Sequence, residues 1–214
     1  MSIEVTTKDC AALGDVELAE MADLTATGVA WEVGQLGKQA EEWVLVSCAT
    51  KGGKLQGFAF TTLERIGGTP AMVIGLAATA RTKSNGSVLK ALMQHQYHRA
   101  LMAFPDEDVL VAGRLIDRGG LDLFERLADV RPADGVRANG EERAWGRRLS
   151  KRYGAVRFDD RTMIARGDGE RLVIDHAPAG EIRSSESIDA CDVEAGDYVI
   201  AWGWAMAEFL ETFG

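Results

Sequence analysis

Residues 81 to 87 read Arg-Thr-Lys-Ser-Asn-Gly-Ser, which places two cations, several hydroxyls and a glycine within seven positions. That set suits an anion. Arg81 and Lys83 supply charge, Ser84 and Ser87 can donate hydroxyls, and Gly86 puts no side chain between the backbone and a ligand. Residues 71 to 80, AMVIGLAATA, form the continuous apolar run of a strand covered on both faces. After the loop, Val88, Leu89, Leu92, Met93, Tyr97, Ala100 and Leu101 recur at steps of three and four, with Gln96 as the polar intruder, and Phe104-Pro105 ends the run. A buried strand that delivers such a loop to a helix N-terminus offers unpaired N–H groups and the positive end of the helix dipole, so phosphate is the natural ligand. The same residues also satisfy a plain capped helix start, with Ser84 or Asn85 as the cap.

Other chemistry-bearing residues are sparser. Glu64 stands near the end of the strand before the apolar run and can be read as a general base; a chain of waters is the alternative. His95 and His98, with Tyr97, fall on the long helix, but no third ligand shares their spacing, so no metal site is expected. Cys10, Cys48 and Cys191 are far apart and odd in number, which suits a reducing compartment and buried or incidental thiols.

Arg81, Ser84 and Gly86 resemble the pyrophosphate-binding motif of the GNAT superfamily of N-acetyltransferases, Gln/Arg-x-x-Gly-x-Gly/Ala, with Ser84 in place of a glycine. A second stretch resembles the same family in the expected order: Asp117, Gly120, Phe124 and Leu127 keep its spacing, although Asp117 stands for Asn, Phe124 for Tyr, and Ala128-Asp129 for Gly-Phe. The resemblance spans about residues 43 to 130. It implies acetyl-CoA or another acyl-CoA lying between two splayed parallel strands, residues 71–80 and 109–113. The pyrophosphate would sit on the amides of Ser84, Asn85, Gly86 and Ser87, and the backbone near Leu76 and Ala78 would hold the pantetheine arm and polarise the thioester. An amine, small molecule or protein, would then attack directly. The family's usual proton donor to the departing thiolate is the Tyr that Phe124 replaces, so a domain that binds acyl-CoA without turnover, or that only self-assembles, is the alternative. A likeness of fold alone, without CoA binding, is a third.

The elements needed to position these residues can be read around them. Residues 3–6 form a strand, and Asp15 caps a helix carrying Leu18, Met21 and Leu24. Residues 43–48 and 55–64 form a hairpin about Gly52-Gly53, with a second turn at Gly67, Gly68 and Pro70. Residues 109–113 are a strand, 120–127 a short helix, 141–153 a helix, 161–165 and 172–175 strands, and 198–213 a hydrophobic helix. Together they predict an α/β (α+β) fold: a mixed, mostly antiparallel central sheet flanked by helices, with a core over residues 1–133 and a C-terminal α/β extension over 134–214.

Bulk properties exclude some classes. At 214 residues the chain can bury a core without staples, and a net charge of −9 repels nucleic acid on average. The Arg/Lys cluster over residues 143–157 is interleaved with acids and reads as a solvated helix face. With no apolar run near bilayer length and no leader pattern at the N-terminus, the expected location is the cytoplasm, away from membranes. Trp202 and Trp204, two apart, cannot share one helix face; with Tyr198, Phe209 and Phe213 they predict broad burial, inside the domain or in a homodimer.

Overall fold

The computed structural model describes residues 2–167, 174–175 and 185–214. Strand β1 (Glu4–Asp9) is antiparallel to β2 (Leu45–Lys51), β2 to β3 (Lys54–Ile66) and β3 to β4 (Thr69–Thr79). Both hairpins turn on glycine pairs at positive φ, Gly52-Gly53 and Gly67-Gly68, as tight two-residue loops require. Because the second pair completes its turn alone, Pro70 lies inside β4, near its start, and not in the turn.

Helix α1 (Asp15–Thr25) is capped by Gly14, whose N–H donates to Glu17 at 3.0 Å, so Asp15 belongs to the first turn and is not the cap. Helix α2 (Val33–Glu42) fills part of a region whose sequence gave no clear pattern. Helix α3 (Asn85–Ala103) follows β4 and buries Val88, Leu89, Leu92, Met93, Gln96, Tyr97 and Ala100. Its polar intruder has partners: Gln96 donates to Ser47 Oγ at 2.5 Å, and Thr61 donates to Gln96 at 3.4 Å. Strand β5 (Val109–Leu115) then runs parallel to β4. In place of a helix over 120–127, a 3₁₀ turn (Arg118–Phe124) leads to β6 (Ala128–Arg131); Asp117 caps it by accepting from Gly120 N–H at 3.1 Å.

Helix α4 (Gly140–Arg152) precedes β7 (Phe158–Asp159), β8 (Ile164–Ala165) and β9 (Ile174–Asp175); of the strands expected over 161–165 and 172–175, residues 161–163 of the first form a turn, and residues 172 and 173 of the second lie outside the described residues. After α5 (Glu186–Asp189) comes the main correction to the sequence reading. The predicted C-terminal helix is strand β10 (Tyr198–Ala205) followed by the short α6 (Ala207–Glu211). The two-residue spacing that ruled Trp202 and Trp204 off one helix face is the period of a strand. Tyr198, Ile200 and Trp202 point into one core, and Val199, Ala201 and Ala205 into the other.

Among the described residues ten strands form one sheet in the order β1-β2-β3-β4-β9-β5-β10-β8-β7, with β6 also paired to β10. Only the contacts among β4, β5 and β9 are parallel. Leu18, Met21, Leu36, Trp145 and Leu149 of α1, α2 and α4 cover one face, and α3 and α6 cover the other. This is the mixed, mostly antiparallel sheet flanked by helices that the patterning predicts. No described helix is long and apolar enough to cross a membrane.

The seating of α3 depends on Gly57, where a Cβ would stand 2.8 Å from Val88 Cγ1 and 2.9 Å from the Ala78 carbonyl oxygen. A backbone oxygen inside the sheet cannot yield cheaply, so Gly57→Ala is expected to cost about 1–3 kcal/mol. A thermal melt should show Tm lower by several degrees; an unchanged Tm would mean that α3 is not packed this tightly.

Candidate active site

Strands β4 and β5 pair only at Ala71 with Leu110, Met72 with Val111 and Val73 with Ala112, and beyond that point they part. The separation coincides with a bulge. The β3 register steps from Thr61–Ile74 to Phe60–Leu76 and leaves Gly75 as the extra residue. Trp43 covers this glycine so closely that a Cβ would lie 1.9 Å from the indole, whose Nε1 donates to Gln39 at 2.8 Å. From β5, Arg114 donates to the Gly75 carbonyl through two nitrogens, at 2.8 and 3.2 Å. Its guanidinium is buried and lies 5.0 Å from the Tyr153 ring centroid, 5.9 Å from Tyr198 and 6.0 Å from Trp43. Burial pulls the Arg114 pKa down, while Tyr153, Tyr198 and Glu42 oppose that pull. The Tyr153 hydroxyl donates to the Ile74 carbonyl at 3.0 Å, and burial pushes its pKa up, against Arg114 and Arg152, so the phenol stays neutral.

Past the bulge the two strands do not meet. Ala77 and Ala78 pair instead with Ile174 and Asp175 of β9, and Leu115 of β5 also pairs with Ile174. The chain thus lays two of its own residues between the splayed strands. Leu76 and Ala78 stand at this opening and face Phe60 and Phe58 on the β3 side.

The loop after β4 brings Arg81, Ser84, Asn85, Gly86 and Ser87 to the same end of the strand. Arg81, Lys83 and Ser87 are exposed, and a Cβ on Gly86 would meet nothing within 4 Å. The amides are less free than the sequence implies. Asn85 N–H donates to the Thr82 carbonyl at 3.1 Å, Gly86 N–H to Asn85 Oδ1 at 2.7 Å, and Ser84 N–H weakly to Thr82 Oγ1 at 3.4 Å. Ser84 makes no side-chain cap, and Asn85, buried, turns its carboxamide back onto the first turn.

No family model and no curated protein matches this sequence. Solved structures do. The ribosomal-protein-S18-alanine N-acetyltransferase from Escherichia coli is similar at 16% identity and a TM-score of 0.44, over 60% of this chain and 81% of that one. An IAA acetyltransferase from Bacillus cereus is similar at 17% and 0.41, over 60% and 80%. An acetyltransferase of GNAT family from Streptococcus pneumoniae is similar at 11% and 0.39, over 61% and 90%.

The remaining sequence candidates lie elsewhere. Glu64 pairs with Ala71, four residues before the bulge and so roughly 13 Å along the ladder. Its carboxylate accepts from Arg152 Nε at 2.6 Å, and Arg152 stacks on Trp43 at 4.8 Å. Tyr97 packs against Phe209 and Phe213, and His98 meets the Phe213 carbonyl at 2.7 Å, so that face of α3 is taken up by the aromatic C-terminal segment. Phe124 is buried in the α3-side core. Burial raises the thiol pKa of Cys10 to about 12 and those of Cys48 and Cys191 to about 11, which makes them poor nucleophiles. No group of three or more His, Cys, Asp or Glu among the described residues could hold a metal ion. A cavity of about 630 Å³ beside the loop after β6 is lined by Arg137, Arg143 and Arg161 together with Asp134 and Glu186. Sequence reasoning missed Gly75, Trp43, Arg114 and Tyr153. Only Gly75, a glycine inside an otherwise apolar strand, carried a signal.

Two glycine substitutions separate the crowded part of the site from the open part. Gly75→Ala drives a methyl into the Trp43 ring and is expected to cost about 1–3 kcal/mol, whereas Gly86→Ala gains about 0.5–1 kcal/mol of helix propensity. Melting curves should move in opposite directions; a fall in Tm for Gly86→Ala would show that the loop is closed over.

Proposed function

We propose that the chain is an acyl-CoA-dependent N-acyltransferase, acting by direct attack of an amine on acetyl-CoA or another acyl-CoA. The observation that carries this reading is the parting of β4 and β5 at the Gly75 bulge, with the N-terminus of a 19-residue helix immediately beyond β4. An opened parallel pair offers main-chain groups to an arm that carries two amides. The helix start, with Arg81 and Lys83, offers charge to a diphosphate.

In this reading the pantetheine arm lies along Leu76 to Ala78 and the pyrophosphate over residues 84–87. The anion takes the place of the Asn85 carboxamide at the helix entrance. The amine nitrogen bonds to the thioester carbon, the carbonyl oxygen takes up negative charge that backbone N–H groups at the bulge stabilise, and the C–S bond breaks as the carbonyl reforms. The leaving thiolate takes its proton from water, since Phe124 has no hydroxyl to give and the buried Tyr153 hydroxyl, bonded to the Ile74 carbonyl, holds its own. The proton of the amine leaves through a chain of waters, because Glu64 lies roughly 13 Å along the ladder from the bulge and is held by Arg152. The second reading, an acyl-CoA-binding module without turnover, is favoured by the buried Phe124 and by the same Glu64–Arg152 pair.

Free thiol released from acetyl-CoA across a panel of amines tests the first reading. The double variant Arg81→Gln, Lys83→Gln should weaken CoA binding and leave acetyl-pantetheine, which lacks the pyrophosphate, unaffected. CoA-dependent thermal stabilisation without thiol release from any amine would favour the module; no stabilisation by CoA would sink both readings.

A further inference from the structure

The acyl-CoA reading places the pantetheine arm where the chain has put a strand of its own. From this, and resting on that reading, we infer that Ile174–Asp175 is an internal competitor for the acyl-CoA site, seated in the empty protein and displaced by the ligand. Ala77 and Ala78 carry β3 partners on one side and Ile174 and Asp175 on the other, while Leu115 pairs with Ile174 across the opening. The two edges freed by the bulge are therefore joined by a single two-residue strand parallel to both.

Physical necessity explains its presence. Ala77, Ala78 and Leu115 are buried, and buried backbone groups need partners whether or not a ligand is bound. A peptide supplies the same alternation of N–H and C=O along an extended chain as a diamide arm does, so either can complete the ladder, but both cannot do so together. The competitor is covalently attached and acts at a fixed effective concentration, independent of protein dilution. Seated for nine-tenths of the time, it would weaken the apparent affinity for CoA about tenfold.

The variant Ile174→Pro removes a ladder N–H and breaks the two-residue strand while leaving β4, β5 and α3 untouched. Titration of CoA into the full chain and into this variant, followed by calorimetry, should give a Kd about tenfold lower for the variant. Equal Kd values would overturn the competition and leave the acyl-CoA reading standing. Failure of both proteins to bind CoA would overturn that reading and the inference with it. Hydrogen exchange on the unmodified chain provides an arm that does not depend on a variant folding. Saturating CoA should speed exchange at Ile174 and Asp175 and keep Ala77 and Ala78 protected, and exchange at 174–175 that is unchanged or slower would equally rule the competitor out.

Discussion

The hydrogen bonds from Arg114 to the Gly75 carbonyl hold together the place where β4 gives up its regular pairing. A bulge turns a peptide group out of the ladder, and in a buried strand that group must find another partner. Here the partner comes from β5, the strand that the bulge pushes away, so the two strands stay coupled through a side chain where they are no longer coupled through backbone. The charge of the guanidinium is shared among three aromatic faces and two hydrogen bonds to one carbonyl, with Glu42 attracting it through space, an arrangement that tolerates burial because Arg is weakly hydrated and planar.

The rest of the architecture follows from keeping that point open and dry. Trp43 lies flat on Gly75, held by Gln39 on one side and stacked by Arg152 on the other, and Arg152 is fixed in turn by Glu64. A residue that the sequence suggested as a base thus serves first as an anchor for the aromatic wall. On the opposite face α3 sits close because Gly57 has no side chain. Its one buried amide, Gln96, is satisfied by Ser47 and Thr61, so the helix can be pressed against the sheet without an orphan polar group.

How much of this the residues announced depended on whether the signal was local. The β3–β4 hairpin, the central strand and α3 were legible because glycine pairs, a continuous apolar run and a 3.6-residue period each have one structural meaning. The C-terminal strand reads as a helix in the sequence because its alternation places apolar residues on both faces: Tyr198, Ile200 and Trp202 on one, Val199 and Ala201 on the other, which gives uniform hydrophobicity. The 3₁₀ turn at Arg118–Phe124 was taken for a helix because three apolar residues at short spacing fit either. Arg114, Tyr153 and Trp43 could not be found in advance, since they come from three separate elements and meet only through the bulge. Residues 81–87 span the loop after β4 and the first residues of α3, and the inward turn of Asn85, which occupies an amide, is a choice of rotamer that no spacing encodes.

The position of β10 bears on how the chain comes to be folded. It fills the gap between β5 and β8, and every residue from Val109 to Leu115 finds its antiparallel partner there, far downstream. Until β10 emerges from the ribosome, β5 has an open and mostly apolar edge, the kind of surface that recruits a wrong strand or a chaperone. The sheet therefore cannot close until β10 has been made, and the elements that shape the opening between β4 and β5 are complete well before the strand that stabilises it arrives.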